Sequence, residues 1–178
     1  MTDRETARTV PVTSDAIAAD NRSRAATAAD ITELTRLRSV MLSSLGQDPG
    51  GEGAPWRKQA AVWFSERLAR PEEWALRVVG PPGGPLDACG AAWLIEQLPG
   101  PAAPDGRRGY IGFMCTRPGA RRRGHGSSIF NSLVEWLATR GVARLELHAA
   151  PDGLDMYRRA GFNEDQYLAM YRMGSPPE

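Results

Sequence analysis

The sequence predicts a mixed α/β fold in which an antiparallel meander passes into a parallel strand–helix–strand crossover. Three observations lead to this prediction. Two segments near the start carry apolar residues at helical spacing, the middle of the chain alternates with a period of two, and strand and helix patterns alternate towards the end. Taken in order, the predicted elements are βααββ–βαβαβ, without an internal repeat.

The first part of the chain is predicted to hold a short strand and two helices. The strand covers residues 22–26, and Thr27 and Asp30 then form a capping-box pattern at the start of a helix that Gly46 ends. The second helix spans about 56–69, where apolar residues recur on one side until a proline stops it.

The middle part is predicted to hold three strands. The alternating run 74–78 is followed by a turn rich in proline and glycine, and a second strand returns antiparallel over about 88–97. A third strand, 110–116, carries no charged side chain, which is typical of a strand covered on both faces.

The last part alternates helix and strand. A helix over 126–140 has one apolar stripe and ends at Gly141, and a strand over 144–149 follows it. A short helix over 154–160 and a final strand over 167–173 complete the prediction.

Composition indicates one soluble domain over residues 22–174. The chain has 178 residues, of which 42% are hydrophobic and 24% charged, and a chain of this length can bury about 70% of its unfolded surface. Residues 1–21 have no hydrophobic period and are expected to form a disordered tail, and 175–178 a second tail.

Charge and residue counts exclude several classes of protein. Twenty-two basic and 21 acidic side chains give a net charge of +1, so no overall field favours nucleic acid or an anionic membrane. The two cysteines and two histidines lack metal-ligand spacing, so no metal is expected. No run reaches 18 apolar residues and the start lacks a signal core, so a cytoplasmic protein is expected.

The segment 121–127, which follows the strand ending at Thr116, reads Arg-Arg-Arg-Gly-His-Gly-Ser. A strand that leads through glycines into a helix is typical of an anion site, because the first helical N–H groups lack partners and the helix dipole attracts negative charge. No Gly-Lys-Ser/Thr follows, and Ile129 stands where a dinucleotide motif needs a third glycine. A glycine turn with solvated arginines is the alternative, and a nucleic-acid patch is disfavoured because no aromatic residues are interleaved.

Three short stretches together make the sequence resemble the GNAT superfamily of acyl-CoA-dependent N-acetyltransferases. Arg121, Gly124 and Gly126 match the family's pyrophosphate loop, Arg/Gln-x-x-Gly-x-Gly/Ala. The residues 116–118, Thr-Arg-Pro, resemble its Val-x-Pro lead-in, with threonine replacing the usual aliphatic residue. The residues 156–162, Met-Tyr-Arg-Arg-Ala-Gly-Phe, resemble its Leu-Tyr-x-x-x-Gly-Phe element. The resemblance in motifs is therefore clear over about fifty-five residues. In the rest of the domain, it depends only on the order of the predicted strands and helices.

The resemblance implies a twisted, mostly antiparallel mixed sheet with helices on both faces and a central splay. The amides of 122–127 would hold the pyrophosphate of acetyl-CoA, the co-substrate, and the pantetheine arm would lie between the strands around 114–116 and 147–149. A main-chain N–H near Met114 or Cys115 would stabilise the thioester oxyanion. The residues that the resemblance assigns to the cofactor are Met114, Cys115, Thr116, Arg121, Arg122, Arg123, Gly124, His125, Gly126 and Ser127.

Three side chains are candidates for catalysis. The resemblance implies that Tyr157 donates to the departing thiolate, with a core tyrosine as the alternative. A base is needed because an alkyl ammonium with a pKa near 10.4 is almost wholly protonated at neutral pH. Glu96, at the end of a predicted strand, is the leading candidate for this base, and a solvated carboxylate is the alternative. His148 could contact the acceptor amine, or its side chain could only pack against the rest of the protein. Cys115 is expected to be a core thiol.

The expected activity is therefore transfer of an acetyl group from acetyl-CoA to a primary amine of a small molecule. A peptide N-acetyltransferase and a non-catalytic acyl-CoA-binding module are the alternatives. The expected partners include neither nucleic acid nor a membrane, and a homodimer stays open because relatives often dimerise.

Overall fold

A computed structural model describes residues 22–101, 103–166, 169, 170, 172 and 174. In this part of the chain, five strands form one sheet in the order of the sequence, with four helices between and after them. The strands are β1 (Arg24–Ala25), β2 (Trp74–Val79), β3 (Ala88–Glu96), β4 (Arg107–Thr116) and β5 (Leu145–Leu147). The helices are α1 (Ile31–Ser44), α2 (Pro55–Leu68), α3 (His125–Ala138) and α4 (Leu154–Arg159).

The predicted fold class is confirmed. Strands β1 to β4 pair antiparallel with their neighbours, and β4 pairs with β5 in parallel. The parallel pair is joined through α3, so the meander passes into the predicted crossover.

Three strands differ in extent from the prediction. β1 covers only Arg24–Ala25 of the expected 22–26. β4 starts at Arg107, three residues earlier than expected, because Arg107 and Arg108 pair in register with the last residues of β3 at an accessible end of the sheet. β5 covers only 145–147. The expected tails 1–21 and 175–178, and most of the expected strand 167–173, lie outside the described residues.

The chain divides into two compact units at the bond between His148 and Ala149. The first unit holds the sheet with α1, α2 and α3, and the second holds α4.

Helices cover both faces of the sheet in the first unit. On one face, α3 packs over β2, β3 and β4. A Cβ atom at Gly90 of β3 would lie only 2.5 Å from Ile129 Cγ2 and 2.6 Å from Met114 Sδ, so glycine permits this close approach. On the other face lies α1, where the Cys115 thiol donates to the carbonyl of Leu37 at 3.4 Å.

The predicted capping box forms at the start of the first helical segment, which opens with a short turn over Ala28–Asp30. The Asp30 carboxylate is fully buried and accepts hydrogen bonds from the Thr27 N–H at 2.8 Å and from two Arg24 nitrogens at 2.8 Å each. The Arg24 guanidinium thereby holds the pKa of Asp30 far below its usual range. This buried pair ties β1 to the beginning of α1.

Candidate functional site

The loop between β4 and α3 bends into the helix through two residues with left-handed backbone conformation. These residues are Arg122, with φ of 63°, and Gly124, with φ of 85°. The first bond of α3 runs from the Ser128 N–H to the Gly124 carbonyl at 3.0 Å, so the amides of His125 and Gly126 precede the helical ladder. Within the described chain, no protein acceptor is found for the amides of Arg122, Gly124, His125 or Gly126. These amides form a site suited to an anion.

The side chains around the loop supply positive charge on its outer side. Arg121, Arg122 and Arg123 are exposed. Arg117, which precedes the turn Pro118–Ala120, forms an ion pair with Asp87. The three exposed arginines place positive charge beside the amides of the loop.

His125, the first residue of α3, turns its ring into the protein. Its side chain is 6% exposed, and Nε2 lies 3.7 Å from an Asp87 carboxylate oxygen, beyond hydrogen-bond reach. His125 can therefore serve an anion at the helix start with its amide and not with its ring.

The first turn of α3 is anchored to the start of the described chain. The Ser23 N–H donates to Ser128 Oγ at 3.1 Å, and the Ser23 hydroxyl donates to the Ser128 carbonyl at 3.2 Å. No local sequence pattern indicates this contact, because 105 residues separate the two serines.

β4 contains a β-bulge close to the loop. Cys89 pairs with Cys115 and Ala91 pairs with Gly112, so two residues of β4 stand opposite the single residue between Cys89 and Ala91. One of them, Phe113, has φ of 54°, which is rare for a non-glycine residue. A bulge leaves main-chain groups outside the ladder, and here they belong to the segment expected to face the acyl group.

β4 and β5 separate beyond a short paired region. Their register joins Gly109–Ile111 to Leu145–Leu147, and β4 then continues through Gly112–Thr116 past its last partner on β5. Among the described residues, the side of β4 that faces β5 thus presents an unpaired strand edge after Ile111, which ends at the loop 121–127, called the anion loop below. Such an edge can pair with the amides of an extended ligand.

The two cysteines of the sheet are buried thiols. Burial raises the pKa of Cys89 well above its ordinary value, and the Cys115 thiol donates to α1. Cys115 is thus the buried thiol that was expected, and it can serve a ligand only through its main chain.

The three catalytic candidates lie in different places. Tyr157 lies on α4, in the second unit, where its side chain is 7% exposed and burial raises its pKa. Glu96 lies at the exposed end of β3, opposite Arg107, whereas Thr116 lies at the other end of the same ladder. His148 is exposed and directly follows the last residue of β5. The structure therefore does not bring Glu96 and His148 together.

A row of aromatic rings, not predicted from the sequence, leads across the sheet to His148. The ring centroids are 5.1 Å apart for Trp63 and Trp74, 4.9 Å for Trp74 and Trp93, 4.6 Å for Trp93 and Tyr110, and 5.7 Å for Tyr110 and His148. Trp74, Trp93 and Tyr110 are direct partners across β2, β3 and β4, so their side chains share one face of the sheet. Trp63 joins the row from α2.

Two further observations concern the described residues. No group of three or more His, Cys, Asp or Glu side chains in this part of the chain is placed to hold a metal ion. None of the helices described above combines the length and apolar character needed to cross a membrane.

Comparison with known proteins gives consistent matches. The profile of the acetyltransferase (GNAT) family matches residues 54–162. No curated protein matches the chain in sequence. Among solved structures, a predicted acetyltransferase from Clostridium acetobutylicum, crystallised with acetyl-CoA, is similar at 25% identity and a TM-score of 0.72, over 84% of this chain and 95% of that one.

Two more solved structures extend the comparison. A GCN5-related N-acetyltransferase from Ralstonia eutropha JMP134 is 28% identical with a TM-score of 0.72, over 86% of this chain and 99% of that one. Glucosamine-6-phosphate N-acetyltransferase from Arabidopsis thaliana shares the fold at 14% identity and a TM-score of 0.65, over 86% and 98% of the two chains.

Proposed function

Because the chain belongs to the acetyltransferase (GNAT) family, we propose that it transfers an acetyl group from acetyl-CoA to a primary amine of a small molecule. The transfer is direct and takes place in a ternary complex. The observation that carries this proposal is the cluster of unpaired amides at the start of α3, which lies where β4 presents an unpaired edge.

The residues of the loop fit a diphosphate. The amides of Arg122, Gly124, His125 and Gly126 have no protein acceptor in the described chain, and the exposed arginines of 121–123 add positive charge. A helix start attracts anions through these amides and through its dipole. A Cβ atom on Gly126 would have its nearest contact at 3.8 Å, to Thr116 Oγ1, so the space in front of this turn is open.

The edge of β4 fits the amide-bearing arm of the same molecule. Residues 114–116 would pair with it through their main chain, since Cys115 directs its thiol to α1. A main-chain N–H near the bulge, at Met114 or Cys115, would donate to the thioester oxygen as the amine attacks. Acetyl-CoA supplies the activated acyl group.

Proton transfer is assigned to two of the three candidate side chains. Tyr157 would donate to the departing thiolate, and its raised pKa keeps the phenol protonated at neutral pH. Of the two candidates for the base, the geometry favours His148, because it follows the last paired residue of β5, where the strands separate. Glu96 lies three residues beyond the partner of Tyr110 on β3, or about 10 Å along the strand.

A screen of primary amines tests this function, with release of free CoA thiol as the measurement. We expect small amines to be acetylated and a panel of peptides with free N-termini to react poorly. Calorimetric titration with CoA in parallel separates the alternatives. CoA binding without thiol release for any amine would support a non-catalytic module, and preferential reaction of the peptides would support a peptide N-acetyltransferase.

A further inference from the structure

Tyr110 and His148 form a polar pair at the point where β4 and β5 separate. The last paired residues of the two strands are Ile111 and Leu147, and the pair flanks them, one residue before on β4 and one residue after on β5. A ligand that lies along the unpaired edge of β4, with its phosphates at the anion loop, therefore extends from that loop towards these two side chains.

The two side chains are in hydrogen-bond contact through Tyr110 Oη and His148 Nδ1, and their rings meet edge to face. His148 is exposed and Tyr110 is half-buried. The ring of Trp93 on β3 covers Tyr110 at a centroid distance of 4.6 Å. The phenol is thus held in place by packing, while the pair stays open to solvent on one side.

The charged groups around the pair compensate one another. On β5, Glu146 lies beside Tyr110 and forms ion pairs with Arg108 and Arg144, both at 2.7 Å. The neighbour on β3 is the apolar Trp93. Burial raises the pKa of Tyr110, a hydrogen bond with the His148 main chain opposes this shift, and the charge of Glu146 adds to it; the net shift is upwards, so the phenol keeps its proton at neutral pH. The Tyr110 O–H can therefore donate to Nδ1 of a neutral imidazole.

We propose that Tyr110 and His148 together accept the proton of the acceptor amine, with the phenol oxygen as the group that contacts the amine. The inference rests on the proposed function, because it needs an amine and an acyl thioester at this site. It assigns to Tyr110 a role that no sequence motif indicates.

The proton balance of this step is simple. With Tyr110 donating to Nδ1, the other ring nitrogen of a neutral His148 carries the hydrogen and cannot accept another. The ammonium gives a proton to the Tyr110 oxygen while the phenolic proton moves to Nδ1, which yields a neutral amine, an intact phenol and an imidazolium. The amine nitrogen then forms the C–N bond and the C–S bond of acetyl-CoA breaks. The thiolate takes a proton from Tyr157, the new amide nitrogen gives up its second proton to solvent, and solvent returns a proton to Tyr157 and removes the one held by the imidazolium.

A pair of matched amines separates this role from a structural one. 2-Phenylethylamine is almost wholly protonated at neutral pH, whereas 2,2-difluoro-2-phenylethylamine has nearly the same shape and a much larger neutral fraction. Tyr110→Phe removes the relay, and His148→Asn keeps an oxygen that accepts the hydrogen bond but takes no proton. We expect both variants to lower kcat for 2-phenylethylamine by about a hundredfold. For the fluorinated amine, we expect kcat of both variants to stay close to that of the unmodified protein.

Tyr157→Phe is the matched control, because a defect at the leaving thiolate should slow both amines alike. CoA affinity from calorimetry and the circular dichroism of each variant show whether the fold and the cofactor site are intact, and the exposed His148 provides a second test if Tyr110→Phe folds poorly. Equal slowing of both amines, or no slowing of either, in Tyr110→Phe and His148→Asn would overturn the proposal. Absence of thiol release by the unmodified protein with both amines would count against the proposed function itself, and the pair would fall with it.

Discussion

Replacement of Gly124 by valine tests the anion loop most directly. Gly124 has φ of 85°, a conformation that costs a residue with a side chain about 1–2 kcal/mol. In addition, a branched side chain at this position would displace the neighbouring amides from a bound phosphate. Each hydrogen bond to a charged group contributes about 1.5–3 kcal/mol, so the loss of one should raise the Kd for CoA about 10- to 150-fold.

Gly141→Val is the control for backbone strain. Gly141 follows the end of α3 with φ of 70°, and nothing lies within 4 Å of a Cβ atom built there. Both variants should lose a similar amount of unfolding free energy in urea, but only Gly124→Val should lose CoA affinity in calorimetry. The phosphate-loop assignment is wrong if Gly124→Val binds CoA as the unmodified protein does, or if both variants weaken binding equally.

Three further predictions concern stability and turnover. Asp30→Asn should lower the unfolding free energy in urea by about 3–5 kcal/mol, whereas Glu33→Gln, at a partly exposed ion pair, should cost clearly less. Arg24 lowers the pKa of Asp30 in the folded protein. The stabilisation is therefore complete above about pH 3.9, the pKa of an unfolded carboxyl, and is lost as the pH falls through the folded value. The difference in unfolding free energy between the unmodified protein and Asp30→Asn should accordingly shrink in acid. Gly90→Val should overpack the contact between β3 and α3, which typically costs about 1–3 kcal/mol and would be measured as a lower Tm; an unchanged Tm would contradict that contact. Tyr157→Phe should reduce kcat about ten- to a thousandfold with unchanged CoA affinity, and unaltered turnover would remove Tyr157 from the mechanism.

Local patterns were sufficient to predict the order of the elements as far as the short helix α4. The helix starts and ends could be predicted from residues such as Thr27, Asp30 and Gly141, whose caps depend on their immediate neighbours. The strand order followed from short connections and from the handedness of the crossover. The glycine-rich segment 121–127 could likewise be located from the sequence, because its seven residues are contiguous between β4 and the start of α3; its role as an anion site stays a prediction.

Features that depend on register between distant segments could not be predicted in this way. The bulge at Phe113 arises from the mismatch between β3 and β4, and the contact between Tyr110 and His148 needs the alignment of β4 with β5. Glu96 was selected because it ends a strand beside the expected splay, but its distance from His148 depends on which part of β4 that strand end meets. In each case the sequence shows the alternation within a strand. It does not show the register, that is, the offset in residues between neighbouring strands.

Because position 90 carries no side chain, α3 can lie close to the sheet, and this closeness fixes the height of its first turn above the strands. A related protein could retain every residue of the glycine-rich segment and still have its amides displaced from the coenzyme, if alanine replaced glycine at this strand position and pushed the helix away from the sheet. Whether a relative has kept the capacity to hold the coenzyme should therefore be judged from the strand beneath the helix as well as from the signature in front of it.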